Sequence, residues 1–369
     1  MIRVALMLPK LGRYGGAEQF GYRLAQYLAT HPSQDFQVTY ICAQQDGLPP
    51  DNVQVIKVGR PLPGKLGKTL WFALAAEVAR RKGRFDVCLG LGNTLIQDML
   101  RLSGGPTKIF WEYSIRAYAP GVKQRMKQLG RFLSPGKQLA RFIEIIQAKN
   151  TPVLVANSHF VRDLTVRAFP WLDGDAIPVI YNEPDLSRFT PAHPEQKVAT
   201  RQHFGLPGQG DLILTAGTNF RLKGIYVLVQ ALALLPQNFH LAIAGGRGNR
   251  ELLRIARELG LEKRVHFLGR VERMPDLYHA ADIFVLNTFY DACANAVLEA
   301  LASGLPVIST VCNGSSIFLH EHAVVSDPSN AAVLAKRIQK LRYGPSTART
   351  DFSPPRGLAP YADVIRKLA

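Results

Sequence analysis

The chain has 369 residues, 47% of them hydrophobic and 20% charged, which is too long for one core, suits two domains and excludes disorder as the main state. Its 45 basic and 28 acidic residues leave a net charge of +17, well beyond what solubility requires. Four cysteines, at positions 42, 88, 293 and 312, show no C-x-x-C spacing, so neither a disulfide framework nor a cysteine zinc site is signalled and a reducing compartment fits best.

The N-terminal MIRVALMLPK is apolar too briefly for a secretion signal and reads as a first buried strand. No apolar run reaches the roughly 18 to 20 residues that cross a bilayer, so cytoplasmic residence is expected. The loop KLGRYGGAE leads into the helical segment AEQFGYRLAQYLATH, and the β-rich runs FQVTYIC, VQVIKV, FDVCLG, PVLVAN and IPVIYN follow. Residues 1–150 carry a net +13 and residues 151–369 only +4. A field of this sign attracts phosphates, in nucleic acid, on an anionic lipid surface or on a phosphorylated glycolipid, and composition does not choose among them.

Much of that charge lies in KLGKTLWFALAAEVARRKGR and in residues 121–149, where seven basic residues and one acidic residue interleave with Met126, Leu129, Phe132, Leu133, Leu139 and Phe142. Either these are ordinary helices with apolar faces buried on the first sheet, or Lys123, Arg125, Lys127 and Arg131 face an anionic membrane or a phosphorylated acceptor. A polar stretch with three prolines, NEPDLSRFTPAHPEQKVAT at 182–200, then precedes a second series of strands: DLILTAG, FHLAIAGG, RVHFLG, DIFVLN and LPVIST. Alternation of this kind predicts parallel sheets with helices on both faces, and there are twice the strands that one sheet uses. The expected architecture is α/β, with doubly wound domains at 1–184 and 185–345 and a tail at 346–369 whose short helix returns to the first domain.

In open parallel sheets, ligands sit at the carboxyl ends of strands, where helix N-termini present N–H groups to anions. Four loops have that address. The first carries Gly15 and Gly16, with Glu18 in the following helical turn. The second, GTNFRLKG, offers Arg221 and Lys223 as cations for a diphosphate, with Gly224 opening the next helix; it contains no G-x-x-x-x-G-K-[ST], which disfavours a P-loop nucleoside triphosphatase. The third, AGGRGNR, has Gly245 and Gly246. In the fourth, LNTFYDACANAVLEALASGLPVIST, Asp291 precedes a helix starting near Ala294 or Asn295 and Glu299 lies inside it, so both carboxylates can face one crevice. The alternative role for Asp291 is to cap that helix.

These motifs together, GGAE, the KG turn after a second-domain strand, and an acidic residue, seven residues and Glu before ALASGLPVI, resemble the retaining GT-B glycosyltransferases of family 4. The likeness runs from GGAE through VANSHFVRD and VIYNEPDLSRF to SGLPVIST. Within the family, GLGNTLIQDMLRLSGGPTKIFWE and YDACANAVLEALASG are most similar to the lipopolysaccharide core glucosyltransferase I group. The resemblance implies two Rossmann-like domains facing a cleft, a UDP-glucose donor and the inner-core heptose of lipopolysaccharide as acceptor; UDP-N-acetylglucosamine, UDP-galactose and GDP-mannose are the other donors it allows.

By the same resemblance, Glu299 binds the ribose hydroxyls, Ala294 and Asn295 present the helix N-terminus to the diphosphate or sugar, and Asp291 holds the donor sugar. Lys223 is the diphosphate lysine, with Arg221 as its partner. Gly15, Gly16 and Gly245 approach the donor closely, and Arg270 with Val271 meets the base. Asp98 corresponds to an aspartate near the reacting centre, and Glu112 stands where the family has a histidine. The reaction implied is front-face transfer with retention, the leaving diphosphate taking the acceptor proton. No histidine cluster calls for a metal, and no cofactor is expected beyond the nucleotide sugar. The expected location is the inner face of the cell membrane, as a peripheral enzyme. An epimerase on the same fold leaves the basic first domain unexplained, and a nucleic-acid-binding protein is disfavoured because no reading helix, RNP motif or zinc module is present.

Overall fold

The structure, a computed structural model, describes residues 1–13, 15–191, 195–246, 250–342, 344, 347–349 and 353–369. The centre of the AGGRGNR loop and parts of the proline-rich tail lie outside these described residues. Two compact units are present: Met1–Glu112 with Pro120–Asn182 and Pro354–Ala369, and Tyr113–Ala119 with Glu183–Ser353.

The first unit is built on six parallel strands, β1 (Ile2–Met7), β2 (Phe36–Cys42), β3 (Val53–Lys57), β4 (Val87–Gly90), β5 (Met99–Leu102) and β6 (Val153–Ala156), in spatial order β3-β2-β1-β4-β5-β6. The second repeats the plan with β7 (Asp211–Gly217), β8 (Phe239–Gly245), β9 (Val265–Gly269), β10 (Ile283–Val285), β11 (Val307–Thr310) and β12 (Val324–Val325), in the order β9-β8-β7-β10-β11-β12. Both are the 3-2-1-4-5-6 arrangement of the Rossmann fold. Chains of Val, Ile and Leu suit such strands because both sheet faces are covered; Leu212, Ile213, Leu214, Ile283, Phe284 and Val285 are all essentially inaccessible. In each sheet the strand order reverses between the first and fourth strands, so the crevice for a ligand lies beyond β1 and β4 in one unit and beyond β7 and β10 in the other.

The C-terminal helix Ala359–Leu368 buries Tyr361, Ala362 and Ile365 in the core of the first unit. Tyr361 packs edge-on against Phe20 with centroids 5.1 Å apart and accepts a 2.9 Å hydrogen bond from Arg101. At the amino ends of β7 and β10 the second unit holds a buried charge network. There Asp282 meets Arg201 at 2.5 Å, Arg342 at 2.9 Å and also Lys197, while Asp211 takes another Arg342 nitrogen at 2.8 Å. Two carboxylates and three cations close off the end of the sheet away from the ligand crevice.

The helix Val122–Phe132 is turned the opposite way from an ordinary surface helix. Its apolar residues face solvent, with Val122 73%, Met126 67%, Leu129 57% and Phe132 69% exposed, whereas Arg131 is its buried residue. The Arg131 guanidinium donates to the Trp111 carbonyl at 2.8 Å. The buried-face alternative therefore fails for this helix, and the expectation that Arg131 belongs to the basic surface is corrected. Lys123, Arg125 and Lys127 are exposed. On the helix Gly64–Gly83, Leu66, Leu70, Leu74 and Val78 recur every four residues and are also exposed. No described helix is long and apolar enough to cross a membrane.

Candidate active site

The loops that follow β7 and β10 are clamped to one another before any ligand is considered. Asn219 starts a turn by accepting the Lys223 N–H on its carbonyl at 2.9 Å and the Leu222 N–H on its side-chain oxygen at 3.2 Å. The Leu222 carbonyl then accepts the Phe289 N–H at 2.8 Å and the Thr288 hydroxyl at 3.0 Å. Gly224 has φ +63°, and a Cβ there would stand 1.9 Å from the Asn287 carbonyl oxygen. Only glycine supplies both that conformation and that approach, so the KG turn is fixed against the end of β10.

This clamp brings the Lys223 ammonium onto the Asp291 carboxylate as an ion pair, with the two side chains 22% and 17% exposed. Asp291 is held in turn by its backbone, whose N–H donates to the Cys312 carbonyl at 2.9 Å and whose carbonyl accepts from Gly314 at 3.0 Å. The capping alternative for Asp291 fails. Ala294 is the N-cap of the helix Asn295–Ala302 without a side-chain cap, and it is Asn313 that accepts both the Ala294 N–H (3.2 Å) and the Ser315 N–H (3.1 Å). Asp291 keeps its carboxylate for the Lys223 cation at the switch point of the sheet.

Glu299 lies one turn into that helix and is half-buried. Its Oε2 accepts a 3.0 Å hydrogen bond from Tyr278, a fully buried residue of the helix Met274–Ala280. Burial, reinforced by the neighbouring Glu299 charge, pushes the Tyr278 phenol well above its ordinary range, so this hydroxyl stays protonated and remains a donor.

Arg221 is committed elsewhere. Its guanidinium pairs with Glu251 at 2.5 Å, lies 4.4 Å from the centre of the Tyr226 ring and 5.3 Å from that of Tyr118, and the Tyr226 hydroxyl also donates to Glu251 at 3.1 Å. The structure therefore brings Lys223, Asp291 and the start of the Glu299 helix together while setting Arg221 in an aromatic and carboxylate cage. Gly245 ends β8 at φ +107°, where a Cβ would meet the Gly217 carbonyl oxygen at 2.8 Å; close packing of two strand ends requires the glycine. Beyond β9, Arg270 is exposed and 4.0 Å from Glu272, and Val271 packs partly on the core.

In the first unit, Gly15 with φ +97° is the N-cap of the helix Gly16–Ala29, and a Cβ at Gly16 would meet nothing within 4 Å. Asp98 departs from its expected place at a reacting centre. It enters β5 from the amino side and accepts the Cys88 N–H at 2.8 Å, one link in the joining of β5 to β4. Glu112 is exposed and paired with Arg167 at 2.7 Å. Among the described residues, no group of three or more His, Cys, Asp or Glu side chains gathers as a metal site.

Sequence reasoning missed Tyr278, Glu251, Tyr118 and Asn313. Tyr278 falls in MPDLYHA, where an apolar-looking aromatic gives no sign that its hydroxyl serves Glu299. Asn313 in VCNGSS carried a recognisable capping pattern, but its reach to Ala294 depends on two loops meeting.

Two family models match the chain: Glycosyltransferase Family 4 over residues 14–188 and Glycosyl transferases group 1 over residues 196–352. A D-inositol 3-phosphate glycosyltransferase of Xylanimonas cellulosilytica is 36% identical over 273 residues, covering 69% of this chain and 62% of that protein. The lipopolysaccharide glucosyltransferase WaaG of Escherichia coli is 26% identical over 234 residues, 60% of this chain and 62% of that protein. The chain thus spans less than two thirds of either curated relative. Among solved structures, WaaG superposes with a TM-score of 0.76 at 21% identity over 92% of both chains. Anabaena HepE, solved with UDP and glucose, gives 0.68 at 16% identity over 92% of this chain and 89% of that one. At these identities the structural likeness establishes the fold.

Proposed function

Because this chain belongs to the GT-B glycosyltransferases of group 1 and family 4, we propose that it transfers a hexose, with retention, from a nucleotide sugar to a membrane-associated phosphorylated glycolipid. The donor is UDP-glucose and the acceptor the inner-core heptose of lipopolysaccharide. The observation that carries this reading is the Lys223–Asp291 ion pair at the switch point, one short loop from the helix that bears Glu299.

In the reaction, the bond between the sugar C1 and the diphosphate oxygen breaks as an acceptor hydroxyl oxygen bonds to C1 from the same face. The acceptor proton passes to the departing diphosphate. Lys223 and the amino end of the helix Asn295–Ala302 stabilise charge developing on that leaving group, which needs donors already in place. Asp291 orients both Lys223 and the sugar hydroxyls, and Glu299 takes the ribose diol. A cationic side chain can supply the leaving-group stabilisation for which other enzymes use a metal, and no cofactor is proposed.

The basic first unit supports the membrane part of the reading. The helix Val122–Phe132 offers apolar side chains for the acyl boundary with Lys123, Arg125 and Lys127 beside them for anionic headgroups. We place the protein on the inner face of the cell membrane on this basis. The relative from Xylanimonas cellulosilytica is named for an inositol phosphate acceptor, which favours a second reading, a small soluble phosphorylated polyol as acceptor.

The test is a matrix of UDP-glucose, UDP-galactose, UDP-N-acetylglucosamine and GDP-mannose against heptosylated glycolipid in anionic vesicles and against inositol phosphate. Transfer from UDP-glucose to the glycolipid, lost in Glu299→Ala, is expected. Transfer to inositol phosphate alone would replace the glycolipid reading, and no turnover of any donor would remove both.

A further inference from the structure

We infer that Tyr278 is a positioning residue for the nucleotide, setting the carboxylate of Glu299 for a vicinal diol; this rests on the reading that Glu299 binds ribose. Tyr278 is completely buried. Its ring is gripped edge-on by Phe189 and Phe284, at centroid distances of 5.8 and 5.7 Å, so the hydroxyl is carried on a rigid support. That hydroxyl reaches two points of the helix Asn295–Ala302: the Ala296 carbonyl at 3.2 Å and Glu299 Oε2 at 3.0 Å. It thereby ties the carboxylate to the first turn of its own helix.

The chemistry of a diol gives this tie a purpose. Two adjacent hydroxyls donate to one carboxylate only when its plane is set toward them, and a glutamate with three rotatable bonds loses conformational freedom in adopting that setting. A buried phenol on one oxygen removes most of that freedom before the ligand arrives, which is preorganisation. A core tyrosine placed only for packing has no need to direct its hydroxyl at the one acidic side chain of this helix.

The experiment measures binding of UDP and of 2′,3′-dideoxy-UDP to the full chain, as wild type, Tyr278→Phe, Glu299→Ala and the double variant. Wild type prefers UDP. Tyr278→Phe retains the ring and is expected to lose roughly five- to tenfold in UDP affinity, in line with one hydrogen bond to a charged group, with the dideoxy affinity unchanged. The double variant should then match Glu299→Ala. Because the readout is the ratio of two affinities on the same sample, partial unfolding lowers both and leaves the ratio intact. A Tyr278→Phe protein with the wild-type ratio overturns the inference, as does equal loss of both affinities, which marks a packing role. If Glu299→Ala itself keeps the preference for UDP, the ribose reading has failed and the inference falls with it. That outcome is told from the others by the Glu299→Ala arm alone.

Discussion

Lys223 and Asp291 stand 68 positions apart in sequence and form an ion pair between the loops that follow β7 and β10. The carboxylate holds the ammonium at the switch point, and on the proposed reading a diphosphate would meet a cation already in position. Lys223→Ala is expected to lower kcat by on the order of 10²-fold or more, as removal of a preorganised donor to a developing oxyanion does. On that reading Asp291→Asn is expected to raise the KM for the nucleotide sugar more than it weakens UDP binding, because it would lose the sugar contact as well as its hold on Lys223. Steady-state kinetics together with UDP titration separate the two effects; unchanged kcat in Lys223→Ala would leave the ion pair with only the role of joining the two loops.

A second ion cluster governs stability rather than chemistry. Burial pushes the Asp282 carboxyl up, but the Leu212 N–H and the Lys197 and Arg201 cations outweigh it and hold the group below the usual carboxylate range. A depressed folded-state pKa means stability that is present above the unfolded value and is lost as pH falls through the folded one. Melting temperature should therefore drop steeply below about pH 4, and Asp282→Asn should flatten that slope. At neutral pH the same variant leaves Lys197, Arg201 and Arg342 with fewer partners, a loss of about 3–5 kcal/mol for a broken buried pair. A neutral-pH melting temperature equal to wild type would show that the network contributes nothing net.

Glu144 titrates in the opposite sense. Burial pushes its carboxyl up to about 7, although it accepts both the N–H and the hydroxyl of Thr107 at the start of the helix Thr107–Ile115. With the folded value raised, the stability tied to the protonated form is fully present below the unfolded pKa of about 4.3 and is lost as pH rises through about 7. Glu144→Gln keeps an acceptor for Thr107 without the charge. Its melting temperature relative to wild type should thus climb between about pH 4.5 and pH 7 and then level off. A difference independent of pH would show that Glu144 is ionised throughout this range.

Both sheets and the Asp291-to-Glu299 loop were legible in the sequence because their signals are local: fully apolar runs for strands covered on both faces, and a carboxylate, helix start and Gly stop in one stretch. Tyr278 was not legible, since the value of its hydroxyl depends on Glu299, 21 positions away. Nor was the grouping of Tyr113–Ala119 with the second unit, where Tyr113 packs on Tyr290 at 5.7 Å and Tyr118 on Arg221. Asp98 was misplaced for a related reason: eight residues after β4 are enough to carry the chain back to the amino side of the sheet, and spacing alone does not show which end it reaches. Arg131 misled because amphipathic patterning is read on the premise that the apolar face turns inward.

The inverted helix Val122–Phe132 makes the membrane reading testable in two independent parts. Changing Lys123, Arg125 and Lys127 to Gln removes three exposed cations and should weaken binding to anionic vesicles by roughly 1 kcal/mol for each residue that reaches the surface. The parent protein should show the same contribution as a salt dependence, since exposed charges are screened over about 10 Å at 0.1 M. Changing Met126, Leu129 and Phe132 to Asn leaves the charge intact and removes the apolar contact; its loss should persist in high salt, because burial of apolar surface is not screened. Arg131→Gln belongs to neither set, as its guanidinium serves the Trp111 carbonyl, and it should lower the melting temperature instead of vesicle affinity. Vesicle co-sedimentation at two salt concentrations reads all four proteins. If the Asn variant binds as tightly as the parent at high salt, the outward apolar face does not enter the bilayer, and the glycolipid must be reached from another surface.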